Sequence, residues 1–354
     1  DYGWSINLNT RERVWELEMR NCTAAVGAKK NIVYDGTISL VPGAYVLNYI
    51  TDDSHSAADW NAAPPDDPLN YGITLYLMEP KDSVSISLTS GEEKDEALLR
   101  LTGMGADEFR SATFTLKKES SLRIYALGER MYSRSAMADH GWIINARTRE
   151  KVWTMDPDRT EPAGGDEKNR MSDDIVTLPA GTYTVFYSTD GSHSYNDWNS
   201  DPPIDEEHWG ITIYAAPENF SKANLSTGGE AAESGVIAQI VRVRDGENRQ
   251  TSFTLKKPTK VRIYALGEGQ NHEMYDFGWI ERTDGREVPW DMTYPMTFHA
   301  GGAKKNRMVN TTIVLEAGSY ALHYQTDDSH SFNDWNSDPP DDPTMYGITL
   351  YADE

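Results

Sequence analysis

The sequence predicts an all-β chain of tandem jelly-roll-like β-sandwich repeats, on three observations. Strand signals are many and helix signals are scarce. A long polar stretch recurs three times with no insertion or deletion: TDDSHSAADWNAAPPDDPLNYGITLY at 51–76, TDGSHSYNDWNSDPPIDEEHWGITIY at 189–214 and TDDSHSFNDWNSDPPDDPTMYGITLY at 326–351. Each copy is also framed by strand-like runs, an alternating GAYVLNY, GTYTVFY or GSYALHY before it and Gly-Ile-Thr-Leu/Ile-Tyr at its end. Alternation and β-branched or aromatic content mark such runs as strands. Loops of this length usually tolerate insertions, so a constant length implies that the shape of this one is used.

In the last third of the chain the strands fall near 236–243, 251–257, 260–266, 277–282, 286–292, 311–316, 319–325 and 346–351, with turns at Asp245-Gly246, Asp284-Gly285 and Ala317-Gly318. Short strands separated by turn signals at this spacing predict a sandwich of about eight strands. The best helix candidate is Glu92–Leu99, which is short and lies in a linker.

Two segment types alternate in the order A-B-A-B-A. Type A covers 1–80, 139–218 and 276–354. Asp1, Gly3 and Trp4 return as Asp139, Gly141 and Trp142, and again as Asp276, Gly278 and Trp279. Type B fills 82–138 and 219–275, with SATFTLKKESSLRIYALGE at 111–129 matched by TSFTLKKPTKVRIYALGE at 251–268. Polar Gly/Ser-rich stretches at 87–97 and 224–235 separate each A from the next B and read as linkers. The expected units are therefore 1–80, an incomplete repeat without its first strands, then 82–218 and 219–354. The chain opens at Asp1 with no signal peptide. Either this start is cut, or another chain supplies the missing strands. An exposed sheet edge and apolar face in 1–80 would invite self-association through this incomplete repeat, and a contact that does not close on itself builds filaments. If Trp4 and Tyr45 are well buried by residues 1–80 alone, with no unpaired strand edge beside them, the unit is complete as it stands and this expectation fails.

A net charge of −23 argues against a nucleic-acid partner, because phosphate binding needs clustered Lys and Arg. No apolar run reaches membrane-spanning length. Cys22 is the only cysteine, so the chain has no internal disulfide.

The order FTL, K-V-R-I-Y, D-x-G-W-I, A-G-x-Y-x-L-x-Y, long loop, Y-G-I-T-L-Y resembles the bacterial pre-peptidase C-terminal domains. That resemblance implies β-sandwiches appended to secreted hydrolases and cell-surface proteins. It also implies calcium, which the similar collagen-binding domains of bacterial collagenases bind. The DDSHS…DWN…PP loop lies outside the family pattern.

The loop supplies the candidate site residues. Asp52, Asp59 and Asp67, with Asp190, Asp197 and Asp205 and with Asp327, Asp334 and Asp342, are acidic in every copy. Hard oxygen donors on one irregular loop suit Ca²⁺, although the spacing is not that of an EF-hand. The same residues serve Asx-turns equally well. Under either reading Asp327, Asp334 and Asp342 should point into their own loop. His55, His193 and His330 sit in Ser-His-Ser, but neighbours along an extended chain diverge, so no catalytic triad is expected. A histidine bonded to loop groups is the plainer reading. Trp60, Trp198 and Trp335 either stack on a sugar or pack inward. Trp4, Trp142 and Trp279, with Trp15, Trp153 and Trp290, are expected in the core. Lys30, Lys168 and Lys305, with Arg11, Arg149 and Arg286, are registered cations that would pair with the loop aspartates at the surface, where such pairs contribute about 0–1 kcal/mol.

The function this supports is a non-catalytic structural or binding module of a secreted or cell-surface bacterial protein, stiffened by calcium or polar networks, with a glycan or protein partner. The alternative is a carbohydrate-binding module accessory to a secreted hydrolase. An enzyme acting through the Asp/His loop is not expected.

Overall fold

Thr259–Gln270, TKVRIYALGEGQ, is buried along most of its length. Its apolar residues Val261, Ile263, Ala265 and Leu266 leave it no solvent face, so it must lie inside a sheet. It pairs with Asn306–Leu315 on one side and Gly347–Ala352 on the other, and Val236–Val241 closes the far edge of that sheet. The facing sheet runs Asn248–Leu255, Gly318–Gln325, Phe277–Arg282 and Trp290–Asp291. The preceding copy repeats this with Ser120–Glu129 between Asn169–Leu178 and Gly210–Ala215, facing Phe109–Leu116, Gly181–Ser188, His140–Asn145 and Lys151–Thr154. All strand pairs among these are antiparallel. Each pair of sheets encloses its own core, with Ile124, Ile143, Val185 and Ile211 in one and Ile263, Ile280, Leu322 and Ile348 in the other.

The computed structural model describes residues 1–52, 54–57, 59–78, 86–88, 97–132, 136–216, 220–227 and 235–352. Helical structure among them is confined to three-residue 3₁₀ turns. The helix expected at Glu92–Leu99 lies mostly outside the described residues, and Leu99 itself begins the strand Leu99–Thr102. Leu225–Thr227, placed by sequence with the third unit, pairs instead with Phe109–Leu116 of the second. Its pattern is too short to be told from the linker around it.

In the first unit the described residues form a three-stranded sheet from Arg13–Glu16, Tyr2–Asn7 and Tyr45–Ile50, and a two-stranded one from Thr23–Ala24 and Ile32–Val33. Trp4 and Tyr45 are half-buried, whereas their counterparts Trp142 and Tyr183 are buried.

Successive units are joined by an arginine turn. Arg11 and Arg149 have φ near 60° in turns closed by N–H donation to Asn7 O (2.7 Å) and Asn145 O (2.8 Å). Arg149 reaches into the third unit, 3.4 Å from Asp342 Oδ2, and donates to the Tyr351 hydroxyl at 3.3 Å. In return Arg262 donates to Arg147 O (2.7 Å) and Asn310 to Thr148 O (3.3 Å). Trp142, whose indole N–H donates to Asp341 O (2.7 Å), packs with Ile144 and Phe186 in an apolar cluster of its own. The first junction repeats the plan: Arg11 lies 3.8 Å from Asp205 Oδ1, and Arg123 donates to Asn9 O (3.0 Å) and Thr10 O. Arg11 and Arg149 thus pair with loop aspartates, as expected, but the expectation of exposed pairs is corrected, because a neighbouring unit covers them. Both arginine side chains are almost wholly buried and bridge two units.

Because Arg149 and Asp342 are both buried, Arg149→Ala leaves a carboxylate without its cation, a change that costs about 3–5 kcal/mol. The expected outcome is loosening of the junction between the second and third units. Small-angle scattering should show a broader distribution of maximum dimensions, while amide exchange within each sandwich core stays unchanged.

Candidate metal centre

The strands Ser120–Glu129 and Thr259–Gln270 both carry Gly-Glu where they leave the core. The glycine is required there. A Cβ on Gly128 would lie 2.2 Å from Asp139 O, and one on Gly267 would lie 2.1 Å from Asp276 O. The backbone of Asp139 therefore crosses directly over the strand, and Glu129 N donates to Asp139 O (3.1 Å). This places Asp139 beside Glu129, and Asp276 beside Glu268.

The long loop brings the third carboxylate. Asp190 N donates to Asp139 Oδ1 and Asp327 N to Asp276 Oδ1, each at 2.8 Å. The result is two equivalent triads, Glu129–Asp139–Asp190 and Glu268–Asp276–Asp327, each with one oxygen per residue within 4.8 Å of the others. Lys168 and Lys305 pair with Oε1 of Glu129 (3.0 Å) and Glu268 (2.9 Å). Oε2 of each glutamate is buried with no hydrogen-bond partner. Burial, opposed by the Asp190 amide and reinforced by the Asp190 and Glu129 charges, pushes the Asp139 carboxyl up to about 8. Burial likewise pushes Asp276 up to about 7. Each triad holds more negative charge than its one lysine balances.

The rest of the loop is held from within. His55, His193 and His330 adopt positive φ and are buried. Their Nε2 atoms meet Asn31, Asn169 and Asn306 Oδ1 at 2.6 Å, and His193 Nδ1 meets Asn199 Oδ1 at 3.1 Å. Asparagine amides flank these rings, and Ser200 Oγ also lies 3.3 Å from His193 Nδ1. Burial first, then the neighbouring lysine, lowers His193 and His330 to about 4. Trp60, Trp198 and Trp335 are half-buried and meet the histidine edge-on, with centroids 4.9–5.1 Å apart. Trp198 also meets Trp209 and Trp335 also meets Tyr346, both at 5.0 Å, and His193 itself lies 5.6 Å from Trp209.

The nine loop aspartates therefore separate into three groups. Asp190 and Asp327 join the triads, while Asp52 donates its N–H to the Asp1 carboxylate at 3.0 Å and accepts from the N–H and hydroxyl of Ser54 at 2.9 and 3.2 Å. Asp59, Asp197 and Asp334 are exposed. Asp334 does not point into its loop as expected, because its backbone, bonded to Ser331, closes the turn. Asp205 and Asp342 belong to the junctions, and Asp67 is exposed. A cleft of about 480 Å³ beside Arg149, Tyr264 and Asp342 lies at the second junction. Of the core tryptophans, Trp153 and Trp290 are buried, Trp142 seals a junction, and Trp4, Trp15 and Trp279 are half-buried. Sequence reasoning missed Glu129, Asp139, Glu268 and Asp276. The available signal was the Gly-Glu closing both B segments, followed by the Asp of DHGW and DFGW.

No family model and no curated protein matches the chain. Among solved structures it is similar to the CUB1-EGF-CUB2 domain of human MASP-1/3, at 11% identity and TM-score 0.20, covering 71% of this chain and 96% of that one. The CUB1-EGF-CUB2 domains of rat MASP-1 align at 10% identity and TM-score 0.21, covering 71% and 94%. The tandem CBM51 modules of a family 98 glycoside hydrolase from Streptococcus pneumoniae align at 12% and 0.19, covering 70% and 83%.

The titrations oppose one another. Asp139 and Asp276 have folded values above the unfolded carboxylate value of about 3.9. Without a cation their contribution is full below about pH 4 and is lost as pH rises through about 7 to 8. His193 and His330 fall below the unfolded value of about 6.5. Their contribution is full above that pH and is lost as pH falls through about 4. In chelator, the melting temperature should decline from about pH 6.5 to about 8. Asp139→Asn with Asp276→Asn should remove that decline and expose a rise between about pH 4 and 6.5, whereas His193→Gln with His330→Gln should extend the decline down to about pH 4.

Proposed function

We propose that the chain is a non-catalytic series of β-sandwich modules whose second and third units each bind one divalent cation, calcium by preference, at the acidic triad. The observation that carries this is the orphaned Oε2 of Glu129 and of Glu268, buried beside two further carboxylates in both units. A buried charged oxygen without a partner is costly, and a cation offsets that cost. Three carboxylates and no nitrogen or sulfur donor form a hard set, which suits Ca²⁺ with its tolerance for irregular oxygen geometry. When bound, the cation would tie the loop to the end of the central strand through Asp190 or Asp327.

The loop as a whole acts as a scaffold in this reading. Histidines held by amides support a binding or structural role over catalysis. A secreted or cell-surface setting agrees with a cation held at extracellular concentrations. Trp198 and Trp335 are half-buried against His193 and Trp209 and against His330 and Tyr346, so both a protein partner and the glycan stacking of the accessory-module alternative are compatible with their placement.

Calorimetric titration with CaCl₂ should give two sites per chain. At calcium one hundred times above Kd, linkage stabilises each unit by about 2.7 kcal/mol, read as a rise in melting temperature that chelator reverses. Asp139→Asn together with Asp276→Asn should abolish both the binding and the shift. Binding retained in that double variant would place the cation elsewhere and overturn the reading.

A further inference from the structure

A lysine and an asparagine that recur in every repeat meet at the same place. Lys168 stands immediately before the strand Asn169–Leu178, and Asn199 lies in the Asp-Trp-Asn turn of the long loop. Lys168 Nζ is 2.5 Å from Asn199 Oδ1 and 3.0 Å from Glu129 Oε1. In the third unit Lys305 Nζ is 2.6 Å from Asn336 Oδ1 and 2.9 Å from Glu268 Oε1. The Lys168 side chain is almost wholly buried and that of Lys305 mostly so. The asparagine is held from its other side. Asn169 Nδ2 donates to Gly164 O and Asp201 O, each at 2.9 Å, which leaves its Oδ1 to meet His193 Nε2. His193 Nδ1 then lies 3.1 Å from Asn199 Oδ1. In both complete units an amine, a primary carboxamide and a carboxylate are thus fixed in contact, with lysine and asparagine 31 residues apart in the chain.

We infer that each complete unit closes an internal amide cross-link, Lys168 to Asn199 and Lys305 to Asn336. Glu129 or Glu268 takes a proton from the ammonium, and Nζ adds through its lone pair to Cγ of the asparagine. The Cγ–Nδ2 bond then breaks. Both protons that Nζ gives up are carried by the carboxyl group to Nδ2, which leaves as ammonium. One Cγ–Nζ bond replaces one Cγ–Nδ2 bond, the carboxylate is regenerated, and no oxidant, reductant or co-reactant is consumed. Fixed proximity replaces a chance encounter, a positioned carboxylate moves the protons, and a lysine amine is a competent nucleophile. The link bonds the long loop to the start of a strand of its own sandwich. Lys30 and Asn61 make the same contact at 2.5 Å, but the chain holds no counterpart of Glu129 for them, so that pair should stay open.

The test is the intact mass of the whole chain, read after folding and with chelator present, since the link does not rest on the cation reading. We expect a mass short of the sequence by two molecules of ammonia. Proteolytic fragments should show Lys168 joined to Asn199 and Lys305 joined to Asn336, with Lys30 and Asn61 unjoined. Glu129→Gln should lose the first link and keep the second, which serves as the internal control for folding. Lys168→Arg with Lys305→Arg should lose both links. A wild-type chain at its full sequence mass would overturn the proposal, as would an ammonia loss that persists in the lysine double variant. So would a Glu129→Gln chain that still joins Lys168 to Asn199, or a third link at Lys30, since the step is written through the glutamate.

Discussion

The strand that carries Arg-Ile-Tyr-Ala-Leu-Gly-Glu is the constraint on which each complete unit depends. Its apolar residues force it into the middle of a sheet, where it pairs on both edges. Its tyrosine then reaches the junction aspartate. Its arginine donates to the turn of the preceding unit and lies over the ring that ends the Gly-Ile-Thr strand, 5.6 Å from Tyr214 in one case and 4.2 Å from Tyr351 in the other. Its Gly-Glu end receives the crossing aspartate and starts the triad. Core, junction and candidate site are thus fixed by one element.

The loop and the junction are coupled through this geometry. The loop's first aspartate turns towards the triad, while its last aspartate turns towards the neighbouring unit's arginine. Between them the histidine–asparagine bond and the aromatic contacts keep the loop rigid. A cation at one end would therefore act on the same short segment that seats Arg149 at the other. Constant loop length in all three copies follows, because an inserted residue would separate the two anchors.

The faces presented along the array are not equivalent. Where the second unit buries Ile144 and Phe186 against the third, the third unit carries Glu281 and His323 at the same register, with His323 stacked on Trp279 at 4.7 Å. Arg286 nevertheless keeps the φ of its counterparts, at 56°, in a turn closed by donation to Arg282 O (2.9 Å). The turn is thus an intrinsic feature of the fold rather than a product of docking.

The sequence alone determined the all-β class, the strand positions and the A-B-A-B-A order. Period-two burial and exact repetition are local properties, written in consecutive residues. It did not reveal the triads, because Glu129, Asp139 and Asp190 come from a strand end, a crossing and a loop that only sheet pairing brings together. Nor did it reveal that Arg11 and Arg149 are buried between units. A charged residue in a turn reads as solvated until a neighbouring surface covers it, and where that surface lies is decided by the stacking of whole sandwiches. Asp334 and Asp342 make the same point: both are registered loop aspartates, yet one faces water and the other a buried guanidinium, a difference set by tertiary distance rather than by residue type.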